Sequence, residues 1–270
     1  MRSIMFSKML KEKTPEQLAD LAEGWGLGGY DLCVRPDYAV NPDNASEVLP
    51  GVVADFRARG LDIPMVTGNF DLLEPDHPTA EPILQAMDKA DVRLLKLGYF
   101  KFTPGEHDYL AEVKRIRAIF ERWCPLAEKY GVKICYHTHS NKCMGLNGAA
   151  MVHLLDGFDP ALIGAYMDPA HLLAEGEDFA TAIAMIKPWL SIIAVKDVNL
   201  IRVEKDGHGS IKRDWVMGGT GCVDWTNVFD VLNKVGYDGP VSIHCEFKVP
   251  EEEFLGAVER EIGFFNRFIG

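Results

Sequence analysis

Apolar and polar positions along the chain follow two alternating rhythms: short, continuously apolar runs, and longer stretches in which apolar residues return every three or four positions. The short runs predict strands at RSIMFS (2–7), YDLCVR (30–35), DIPMVT (62–67), VRLLKLG (92–98), VKICYH (132–137), LIGAYMD (162–168), SIIAVKD (191–197) and PVSIHCEF (240–247). The longer stretches predict helices. TPEQLADLAEGWG has Thr14 as N-cap and Pro15 at the first helical position, and NASEVLPGVVADFRARG closes on Gly60. A long stretch from Glu106 to Lys129 carries a Cys124–Pro125 step that predicts a break or kink. The others are HPTAEPILQAMDKA, LNGAAMVHLLDGF, DFATAIAMIKPWL, WTNVFDVLNKVG and EEEFLGAVEREIGFFNRF.

Strands that are apolar throughout, rather than alternating, imply a sheet covered on both faces. Eight successive strand–helix units then predict an α/β fold, a closed (β/α)8 TIM barrel, in a single domain over residues 1–270, with a doubly wound open sheet as the runner-up. The longest irregular connection, 198–223, follows the seventh strand and is rich in Gly and charge. A loop of that length is more often functional than accidental.

Composition narrows the partners. A net charge of −12 removes the broad attraction to phosphate backbones or anionic lipid, so neither nucleic acid nor membrane is expected. The N-terminal segment has no signal-peptide core, and no apolar run approaches the roughly 18 residues of a spanning helix; a cytoplasmic protein acting on a small molecule is expected. The six cysteines are irregularly spaced with no CxxC pair, which favours reduced thiols over a disulfide or zinc framework.

In a TIM barrel the chemistry sits at the C-terminal ends of the strands. Those ends carry Arg35, His137 followed by His139, Asp168 with His171 beyond it, Lys196 and Asp197, and His244 and Glu246. The strand period of two aims His137 and His139 to one side, and likewise His244 and Glu246. Imidazole and carboxylate suit Mn²⁺, Co²⁺, Zn²⁺, Fe²⁺ or Mg²⁺, and ligands from different strands leave positions open for substrate. The expected metal ligands are therefore His137, Asp168, His244 and Glu246. Glu246, His139, His171 and Lys196 are the candidate catalytic groups, with Arg35 and Asp197 at the substrate. Lys196–Asp197 reads equally well as an ion pair closing the barrel end. No GxSxG, GxGxxG or Walker pattern occurs, and the GGTGC turn (218–222) does not follow a strand as a phosphate loop must.

YHTHS, MDPAH, VKD, the segment Gly219, Gly221, Val223, Asp224, Trp225, and GYDGPVSIHCEF together resemble the xylose isomerase-like TIM-barrel superfamily of sugar phosphate isomerases and epimerases. The resemblance implies a divalent-metal enzyme that moves a proton beside the carbonyl of a keto-sugar, polyol or sugar phosphate. Its ketose 3-epimerases place Glu, Asp, His and Glu at the ends of strands five to eight. Asp168 keeps that pattern and His171 matches the family's substrate-facing histidine. His137 and His244 stand in place of the glutamates, and Ala194 or Val195 occupies the strand-seven position. YHxH resembles instead the inosose dehydratase branch, so dehydration competes with isomerisation or epimerisation. A metal-dependent nuclease related to endonuclease IV and a metal-free sugar-binding barrel are the other readings. A homo-oligomer is possible through the C-terminal helix, whose phenylalanines equally suit barrel-closing core.

Overall fold

The computed structural model describes residues 1–269. Eight parallel strands close into a barrel: β1 (Arg2–Phe6), β2 (Gly29–Cys33), β3 (Asp62–Thr67), β4 (Leu94–Lys96), β5 (Lys133–His137), β6 (Ile163–Met167), β7 (Leu190–Val195) and β10 (Pro240–Ile243), with β1 pairing both β2 and β10. Closure leaves no edge, and helices cover the outside, so β2 and β6 are buried along their whole length. The expected fold class follows from this arrangement.

Local signals set the helices as expected at α1 (Pro15–Trp25). Thr14 and Gln17 form a reciprocal capping box, Pro15 starts the helix, and Gly26 closes it at φ 67°. The expected break at Pro125 does not occur: α4 runs unbroken from Tyr109 to Tyr130. Pro125 lies on the solvent side, where water can satisfy the freed carbonyl, while Phe120, Trp123, Ala127 and Tyr130 pack the opposite face into the core. At the C-terminus, α9 (Phe254–Ile269) buries Phe265 edge-on against Trp225 at 4.7 Å between ring centres.

The connection after β7 is not irregular. Residues Asp197–Lys205 (β8) and His208–Val216 (β9) form a two-stranded antiparallel hairpin outside the barrel. Asp206 and Gly207, at φ 52° and 78°, are the tight turn whose twist matches the strands. Among the described residues no helix is long and apolar enough to cross a membrane.

Candidate active site

Inside the barrel the strand period of two sorts residues by depth. The lower lumen is filled by Ile4, Met65, Cys135, Ile192 and Ala194. Above them Asp31 on β2 accepts from Thr67 Oγ1 at 2.6 Å, from the Tyr166 hydroxyl at 3.0 Å and from Ser242 Oγ at 3.3 Å, tying together β2, β3, β6 and β10. Burial raises its pKa against those donors. One step higher the strands end in Arg35, Lys96, His137, Asp168, Lys196 and His244, all at most 5% exposed.

Asp168 is the centre of this layer. It is the N-cap of α6 (Pro169–Ala174), and Oδ1 accepts from the backbone N–H groups of Ala170 and His171 at 2.9 and 3.1 Å. That leaves Oδ2 aimed into the mouth with no hydrogen-bond partner, 3.4 Å from Lys196 Nζ, 3.8 Å from His171 Nε2 and 4.0 Å from His137 Nε2. Burial pushes the carboxyl up to about 6, against the pull of Lys196.

Neighbours dictate which nitrogen of each imidazole faces the site. His171 Nδ1 accepts from the Ser140 N–H at 3.3 Å, so its proton sits on Nε2, a buried donor without a partner. His139 Nδ1 donates to the Ser140 carbonyl at 2.8 Å, which leaves Nε2 with the lone pair on a half-buried ring. With the Tyr166 proton given to Asp31, His244 Nε2 is the donor in its 2.7 Å contact with Tyr166, and Nδ1 carries the lone pair. His137 has Nδ1 3.4 Å from the Tyr99 hydroxyl, and its Nε2 is buried and unpartnered. Burial, reinforced by nearby lysines, keeps His137, His171 and His244 well below the usual histidine value; burial and then Lys196 bring His139 down to about 3.

His137, Asp168 and His244 each offer a ligand atom within 4.8 Å of the other two. Two of the three residues present an orphaned buried atom, His137 Nε2 and Asp168 Oδ2, so two imidazoles and one carboxylate fit a divalent cation. Glu246, expected as a fourth ligand, is outside that group. The strand stops at Ile243, and Glu246 N–H donates to the His244 carbonyl at 2.8 Å, a tight turn that breaks the period of two. The Glu246 carboxylate is instead held by Lys196 at 2.7 Å and by Lys8. Burial opposes its charge, but Lys196 and Lys8 outweigh burial and carry its pKa well below the usual carboxylate value. In return Glu246 and Asp168 overcome burial and hold the Lys196 ammonium above its usual value.

Asp197 also departs from its expected place at the substrate. It is fully buried, and its two oxygens accept from the backbone N–H groups of Val198, Gly219, Gly221 and Val223 and from Trp225 Nε1, all within 3.2 Å. It knots the GGTGCVDW segment to the barrel rather than facing the mouth, and it is not paired with Lys196. Gly221 is required there, since a Cβ would meet Asp197 Oδ1 at 2.1 Å.

Several groups at the mouth were missed from sequence. Lys96, on β4, lies 3.9 Å above the Tyr99 ring, and burial followed by Arg35 lowers it to about 7. Trp215, on β9, covers the mouth, its ring 4.9 Å from that of His171 and 4.7 Å from Lys196 Nζ. A charged residue within an apolar strand, as in VRLLKLG and YDLCVR, was the available signal for Lys96 and Asp31. Arg35 does reach the mouth, its Nε donating to the Gly68 carbonyl at 3.0 Å and its guanidinium 4.3 Å above Phe70.

A closed parallel barrel with imidazoles, a carboxylate and an ammonium gathered at the C-terminal mouth defines a class of barrel whose chemistry resides on its strand ends. The chain belongs to the xylose isomerase-like TIM barrel family, whose model matches residues 19–266. An inosose dehydratase of Halalkalibacterium halodurans is 27% identical over 130 residues, which is 45% of this chain and 42% of that relative, so the similarity spans less than half the length of either protein. D-psicose 3-epimerase from Clostridium cellulolyticum H10, solved with D-tagatose, has a TM-score of 0.76 at 14% identity over 100% of this chain and 99% of that one. The IolI protein, solved with a zinc atom, has a TM-score of 0.72 at 16% identity over 99% of each chain.

Proposed function

We propose that the chain is a sugar-modifying enzyme that removes a proton beside the carbonyl of a keto-sugar or related keto-polyol. The observation that carries this reading is the convergence of unpartnered His137 Nε2, Asp168 Oδ2 and His171 Nε2 at one point under Trp215. His137, Asp168 and His244 would hold a divalent cation, consistent with the zinc-bound relative in fold, and the cation supplies Lewis acidity at the carbonyl oxygen. His171 Nε2–H donates to a substrate oxygen. His139 Nε2, whose low basicity rises as negative charge develops beside it, accepts the proton from carbon, and the electron pair of that C–H bond moves to the carbonyl to give an enolate. Lys196, fixed by Glu246 at 2.7 Å, returns a proton. Given back to carbon, that proton completes isomerisation or epimerisation; given to a departing neighbouring hydroxyl, it completes loss of water.

Dehydration is the second reading, favoured by the inosose dehydratases among the sequence relatives and by the pairing of one neutral base with one ammonium acid, where a two-base exchange needs acceptors on both faces. The test incubates the metal-loaded protein with keto-sugars and inososes in D₂O. Deuterium uptake next to the carbonyl is expected; an absorbance rise from a conjugated enone marks dehydration. Neither signal with any substrate of this class would remove the reading.

A further inference from the structure

We infer that Arg35 and Lys96 form a subsite for an anionic group, carboxylate or phosphate, on the substrate. The inference deepens the reading above by naming the substrate's charge, and it rests on that reading only for where the substrate lies. The two side chains are 5% and 3% exposed, yet among the described residues neither has a carboxylate within 4.0 Å. Buried cations are rarely left in this state, because an ammonium or guanidinium taken from water needs a counter-charge. The guanidinium uses only Nε on protein, donating to Gly68, and Lys96 Nζ makes no hydrogen bond among the described residues.

The placement is built by the barrel. Cys33, Thr67 and Lys96 lie in register across β2, β3 and β4, and Arg35 follows Cys33 by two, so both cations emerge on the inward side of the two strands that flank β3. Aromatic rings floor them: Arg35 stacks on Phe70 and Lys96 on Tyr99, and the two rings are 6.4 Å apart. Asp31 attracts both cations but is committed to Thr67, Tyr166 and Ser242; Glu246 is held by Lys196 and Lys8. What remains is two cations on one wall of the mouth, with guanidinium donors free to grip two oxygens of one anion.

Binding, measured by calorimetry without turnover, tests this with three matched polyols: D-glucitol, D-gluconate and D-glucitol 6-phosphate. The wild-type protein should bind at least one anion about tenfold or more tighter than glucitol, the ratio a charge-assisted hydrogen-bonded pair supplies. The better anion identifies the group. Arg35→Met and Lys96→Met should each bring that preference to about threefold or less. No preference in the wild type, no saturable binding of either anion, or a preference that survives in both variants would overturn the subsite. Because binding is read directly, failure of deuterium exchange with neutral substrates leaves this result separately legible.

Discussion

The two sides of the barrel mouth handle charge in opposite ways. On the β6, β7 and β10 side the signs alternate: Asp168, Lys196 at 3.4 Å, Glu246 at 2.7 Å and then Lys8. On the β2 and β4 side Arg35 and Lys96 lie over aromatic faces, and the one nearby carboxylate, Asp31, is committed to Thr67, Tyr166 and Ser242. The first arrangement pairs Lys196 on both sides and holds it protonated in a fixed position, while Asp168 Oδ2 stays open toward the mouth. The second is complete only when something anionic arrives. A buried charge therefore carries different information according to its partners: a satisfied one reports on architecture, an unsatisfied one on a ligand.

Substitutions can break this contrast from either side. The largest effect is expected at Asp168→Asn, which keeps an oxygen for the α6 cap but removes the negative charge facing the mouth; exchange activity should fall about a thousandfold, equal to about 4 kcal/mol of barrier, with the circular dichroism spectrum unchanged. Next, Lys196→Met strands two carboxylates beside each other and should cost about 3 kcal/mol in denaturant unfolding, whereas Lys96→Met removes an unpaired buried cation and should stabilise the fold by about 1 kcal/mol. Equal signs for the two lysines would erase the contrast.

The subtlest effect is in pH. Lys96 titrates near 7 in the folded protein and near its ordinary 10.5 when unfolded, so between those values the unfolded chain binds the extra proton and stability rises with pH. In the difference between wild type and Lys96→Met that rise should appear from about pH 7 to 10; a flat difference would place Lys96 in a more hydrated setting than its burial indicates.

Much of this was readable in the chain because the relevant patterns are local. Continuous apolar strands announced a doubly covered sheet, and polar residues at strand ends announced the mouth, including His137, Asp168 and His244. What escaped depended on where regular structure stops. The period of two was extended through Glu246, but the turn after Ile243 swings that carboxylate to the lysines. Asp197 reads as a strand-end acid, and only the return of Gly219–Trp225 from more than twenty residues away shows that it is an internal knot. The Asp206–Gly207 pair was a legible hairpin signal inside a segment dominated by Gly and charge. Tautomers, which decide donors and acceptors here, depend on Ser140 and Tyr166 contacts that no spacing encodes.

The most direct measurement is anomalous diffraction from crystals soaked in Mn²⁺. A single strong peak bounded by His137 Nε2, an Asp168 oxygen and His244 Nδ1, with Glu246 still on Lys196, is expected. A peak elsewhere, or none at millimolar Mn²⁺, would contradict the cation site and with it the proposed placement of the substrate carbonyl.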